Sequence, residues 1–106
     1  MGSIMIFTPG EAEPARHERD TAPTLQELRG LIGGYVEMPA RWFDGHPRVE
    51  TQVILNEDGM RLRLPLNDYA TLWLVQTCQA RGLPVPNIMG ALRGTVVVLT
   101  GSACID

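Results

Sequence analysis

The sequence predicts one α+β domain, residues 1–106, with a mainly antiparallel sheet of about five strands and two helices packed on it. Three observations carry this expectation. Two segments open on helix-capping residues and close on glycine, the punctuation of a helix. Several short segments alternate apolar and polar residues with period two, the signature of a half-buried strand. One late segment, "LRGTVVVLT", is almost continuously apolar, as befits a central strand covered on both faces.

Taken in order, "SIMIFT" (Ser3–Thr8) is rich in branched and aromatic residues and reads as the first strand. Pro9-Gly10 turns the chain. Residues 8–23 are polar and form either a loop or an exposed edge strand, since Pro14 is tolerable in a strand only at an edge. Thr24 followed by Glu27 is a capping box, in which each side chain satisfies the other residue's free N–H. Leu25, Leu28 and Ile32 then share one helical face, and Gly33-Gly34 ends the helix at about Ile32. "YVEMPARWF" (Tyr35–Phe43) is a strand bent at Pro39, and "DGHPR" is a loop. "VETQVILN" alternates cleanly. "NEDG" then reads as a hairpin turn, with Gly59 taking the positive φ that closes it. "MRLRL" follows as the return strand, Met60, Leu62 and Leu64 opposing Arg61 and Arg63. Asn67 caps a second helix, Asp68 complements the positive end of its dipole, and Arg81-Gly82 ends it. Its apolar residues, Trp73 among them, spread so widely that it must be deeply buried or meet a partner. Leu92–Thr100 is the last strand and residues 101–106 a tail. Either a grasp-like or a ferredoxin-like sheet accommodates this order.

Composition excludes more than it assigns. Hydrophobic residues are 44% and charged residues 20% of 106, a globular balance. The net charge of -3 argues against nucleic acid as a partner, because phosphate binding needs a basic surface. All nine basic residues are arginine. No apolar run approaches the length of a membrane helix, and "MGSIMIFTPG" lacks the pattern of a signal peptide. With two cysteines at no metal-type spacing, a reduced, cytoplasmic protein without a metal or cofactor is the simplest expectation.

Candidate chemistry is sparse. "NEDG" has too few oxygen ligands at the right spacing for a calcium loop. Arg61 and Arg63 precede a helix whose first N–H groups, at Asn67 to Ala70, are open to a phosphate or carboxylate. Cys78 lies among apolar neighbours and reads as a buried structural thiol. His17 and His46 sit in predicted loops; acid–base chemistry needs the fold to bring one of them to Asp44, Glu37 or Asp20. Trp42 and Phe43, beside a loop, and Trp73 on the broadly apolar helix are candidate interface anchors.

Three segments together, "TLQELRGLIGGYVEMP", "LNEDGMRLRLPLNDYAT" and "LRGTVVVL", carry a resemblance. Their order resembles that of the small bacterial, plasmid and phage proteins grouped as domain of unknown function three-eight-four-six. Gly33, Gly34, Tyr35, Glu37, Asn56, Glu57, Gly59, Pro65, Asn67, Ala70, Thr71 and Gly94 are the matching positions, spread between Thr24 and Leu99. The chain departs from the pattern around "RWFDGHPR" and in a longer Gly82–Ala91 loop. The resemblance implies an accessory protein of a mobile element or bacterial genome, with Tyr35, Glu37, Asn56, Asn67 and Thr71 as the polar positions of interest.

Three functional classes follow as expectations. The first is a non-enzymatic accessory or regulatory protein that binds a protein partner or itself. The second is a binder of a small anionic ligand, such as a nucleotide signal, at Arg61, Arg63 and the Asn67 helix end. The third is a small hydrolase using His17 or His46.

Overall fold

The computed structural model describes residues 1–44, 49–85 and 91–105. Its elements run β1 (Gly2–Phe7), β2 (Ala15–Glu18), α1 (Leu25–Ile32), β3 (Val36–Asp44), β4 (Val49–Asn56), α2 (Asp68–Ala80) and β5 (Val96–Gly101). The α+β class, the antiparallel sheet of five strands and the two helices agree with the sequence, but β2 is the edge strand that the sequence left open and it stands in place of one expected at Met60–Leu64. The sheet order is β2-β1-β5-β4-β3, and every neighbouring pair is antiparallel. Two hairpins, β1-β2 and β3-β4, are thus bridged by β5, which follows both of them in the chain.

Alternation along β5 divides the core. Val96 and Val98 pack with Ala70, Leu74 and Cys78 of α2, together with Phe7, Trp42 and Val53. Val97 and Leu99 pack with Leu28 and Ile32 of α1, together with Ile4 and Ile54. The helices therefore cover opposite faces, and the sheet is the middle of three layers. Val96 to Leu99 are wholly buried, which is why the run carries no polar alternation.

Helix α1 forms as its local sequence dictates. The Thr24 hydroxyl accepts the Glu27 N–H, the Glu27 carboxylate accepts the Thr24 N–H, and Gly33 closes the helix at φ 84°. Helix α2 is less broadly buried than its composition suggests. Ala70, Leu74 and Cys78, spaced four apart, form a narrow buried stripe, while Tyr69 and Leu72 face outward. Trp73 is partly buried and bridges Phe7 and Trp42, with ring centroids at 5.6 and 6.3 Å.

The stretch after β4 departs from expectation. "MRLRL" is not a strand, and the hairpin partner of β4 is β3. The Asn56 side chain, buried at the strand end, accepts the Asp58 N–H at 2.8 Å and turns the chain at once. A single helical turn follows, with the Leu62 N–H on the Asp58 carbonyl. It ends in the paired pattern of a helix C-terminus: Leu64 N–H to Gly59 O and Arg63 N–H to Met60 O. Arg63, not Gly59, therefore takes the left-handed conformation, at φ 53°. Period-two alternation in this segment imitated a strand. Gly59 serves a different purpose, since a Cβ there would press within 3.3 Å of the Arg93 Cβ.

Residues 101–105 are no loose tail. Ala103 is buried, and the wholly buried Gln52 clasps Ile105 by both backbone groups, at 2.6 and 2.9 Å. Among the described residues no helix is long and apolar enough to cross a membrane.

Candidate functional site

A small cleft at one end of the sheet and the apolar exterior that adjoins it are candidate sites. The cleft holds about 240 Å³ and lies where β3, the end of β4 and the approach to β5 meet. Glu37 and Glu57 supply carboxylates, Arg93 a guanidinium, and Pro39, Leu55 and Leu92 an apolar floor. Gly34 allows the close approach behind it, because a Cβ there would lie 2.9 Å from the Asn56 amide nitrogen. Two carboxylates against one arginine, itself bonded to the Leu64 carbonyl at 3.1 Å, make this a poor receptor for an anion.

The predicted anion-binding residues are drawn into structural tasks. The Asn67 side chain is 0% exposed. Its amide nitrogen donates to Phe7 O at 2.9 Å and Gly94 O at 2.8 Å, while its oxygen accepts the Ala70 N–H. Thr71 donates to the Asn67 carbonyl and accepts the Leu92 N–H. These two residues come together, but as a knot joining α2, β1 and the approach to β5. The Arg61 guanidinium turns back onto Asp58 at 3.2 Å. Neither Arg61 nor Arg63 lines the cleft. Tyr35 is exposed, with the Arg29 guanidinium 5.0 Å over its ring, and Glu37 reaches the cleft without it.

Acid–base and thiol chemistry find little footing. His17 lies on β2, fully outside the cleft, and His46 is outside the described residues. Burial raises the Cys78 thiol pKa, a shift that Arg81 opposes. Burial, and secondarily Glu50, pushes Cys104 up to about 11, and its thiol faces the Glu50 and Leu99 carbonyls at 3.4 Å. Both thiols are thus held in the unreactive form. No cluster of metal-type ligands occurs among the described residues.

The interface candidates divide. Trp42 is only 8% exposed and belongs to the core, whereas Phe43 beside it on edge strand β3 is half-exposed. Sequence reasoning missed a more extensive feature. Met60, Leu62, Leu66, Tyr69 and Leu72 are each between 44% and 53% exposed, although they fall between residues 60 and 72. The apolar members of "MRLRL" were legible as apolar, but the strand reading turned Leu62 and Leu64 inward.

No family model matches the chain, and the searches of curated proteins and of solved structures return no match.

Proposed function

We propose that this is a small, non-enzymatic accessory protein that works in the cytoplasm by binding another protein. One observation carries the reading: five large apolar side chains stay half-exposed between the helical turn and the first turns of α2. Tyr69 and Leu72 stand one helical turn apart on the outer side of α2, so they present neighbouring side chains to an approaching surface. Concentrated apolar exposure of this kind marks interaction surfaces, where aromatic and aliphatic anchors supply most of the affinity. The inert thiols and the commitment of Asn67 to a structural knot support binding over catalysis. An origin among phage or plasmid accessory proteins is supported by the sequence resemblance alone.

The test is site-specific photo-crosslinking in cells of the source organism, with the reactive group at Leu72 or Leu62 and a control at Glu13. The expected outcome is a discrete protein adduct from the first two positions, lost in a Leu66→Asp, Leu72→Asp variant of unchanged melting temperature. Equal labelling from all three positions would overturn the reading.

A further inference from the structure

We propose that β2 is a self-pairing edge, through which two copies of the chain join antiparallel about a two-fold axis at His17. The union would make one continuous sheet from the five strands of each copy. This surface is separate from residues 60–72, so the proposal stands or falls apart from the function proposed above.

Strand β2 ends the sheet, and all of its residues are exposed. The direction of its free backbone groups follows from one bond. The Arg19 N–H donates to Gly2 O at 2.9 Å, so Arg19 faces β1. Antiparallel strands alternate inward and outward groups residue by residue. His17 and Ala15 therefore also point their N–H and C=O toward β1, while Arg16 and Glu18 point theirs into solvent. A second β2 must pair those outward residues with its own outward residues. Only registers centred on a residue do so.

Charge selects among them. Centred on Arg16, the register sets arginine against arginine and Glu18 against Pro14, which has no N–H to give. Centred on Glu18, it sets glutamate against glutamate. Centred on His17, it pairs Arg16 with Glu18 of the second copy, and Glu18 with its Arg16. Each pair exchanges two backbone hydrogen bonds and sets opposite charges side by side on one face. The two His17 side chains meet on the other face, which is the α1 side because His17 is level with the core residue Ile4. There a groove of about 700 Å³ lined by Ile4, Ile6 and Leu31 has His17 on its wall, so space lies open beside each imidazole.

Charged edge strands usually discourage pairing. Here the charges are self-complementary in one register and repulsive in its neighbours, which specifies an alignment. The opposite edge is defended in the ordinary way. In β3 the register shifts between Glu37 and Ala40, and Pro39 lacks an N–H.

The strand has 4 residues, so the contact belongs to the small, transient class. A dissociation constant on the order of 100 µM is expected. The experiment is sedimentation velocity on the full chain across that concentration range, with circular dichroism to confirm folding. Arg16→Glu and Glu18→Arg should each weaken the dimer roughly tenfold or more, because each turns both cross-strand pairs repulsive. An equimolar mixture of the two variants should form a heterodimer, and the double exchange in one chain should restore the homodimer. A wild-type chain monomeric to about 1 mM would overturn the proposal, as would a dimer indifferent to the single reversals. Failure of the mixture to pair would overturn the register.

Discussion

The two helices begin with the same task and solve it differently. At α1, Thr24 and Glu27 satisfy each other's backbone at the surface, and Arg19 grips Glu27 at 2.8 and 3.0 Å from outside. All the partners lie within 8 residues or in solvent. At α2, Asn67 is wholly buried and its side chain reaches residues 60 and 27 positions away, Phe7 and Gly94. Water can replace a lost partner at the first site and cannot at the second. The same cap is therefore a local convenience in one place and a condition of assembly in the other.

The comparison breaks first at Asn67. Asn67→Ala removes the cap and takes a buried donor from each of two carbonyls, Phe7 O and Gly94 O, so a loss of roughly 3 kcal/mol is expected in urea denaturation. Asn67→Asp sharpens the point, since aspartate keeps the cap to Ala70 but turns an acceptor toward Phe7 O and Gly94 O. It should rescue nothing. Thr24→Ala should cost only about 1 kcal/mol, and Thr24→Asp should restore most of it, because only an acceptor is needed there. A similar cost at both helices would show that the buried bonds contribute little.

The smallest effect is set by pH. The Arg19 guanidinium, with help from the Thr24 N–H, holds Glu27 at about 2, below the ordinary 4.5. A depressed carboxylate contributes stability above its unfolded value and loses it as acid protonates the folded form. Stability should therefore fall from about pH 4.5 toward 2, and less steeply in Glu27→Gln. The pair is exposed, so added salt should shrink the difference. Melting temperatures across that range measure it.

What the sequence disclosed follows the same division. Helix α1 was legible to the residue because every signal for it lies between Thr24 and Gly33. Strand β5 was legible because burial on both faces leaves no room for polar alternation. The turn after Asn56 was not, since a buried side chain, rather than the pattern of "MRLRL", directs the chain there. Gln52 gave no sign of its burial, because its partner is the backbone of Ile105, 53 positions away. Of the candidate site, Glu37 was singled out as a polar position of the resemblance and as an acid for a histidine, but nothing in the sequence placed it at a cleft, and the exposure of Leu62, Leu66 and Leu72 depends on packing that no periodicity records. The capping role of Asn67 was visible; its grip on Phe7 was not.

The position of β5 has a consequence for how the molecule comes into being. The strand that joins the two hairpins is made after both of them. While a ribosome is still translating residues 96–101, β1-β2 and β3-β4 can each form but have nothing between them. Ile4 and Val53 then lack their cross-strand partners Leu99 and Val98, and the flank of each hairpin that β5 will occupy is an unprotected sheet edge. Closure waits for the chain to be released past Gly101, and the long loops it must bridge make that step slow. Newly made copies are thus at their most adhesive just before they become complete.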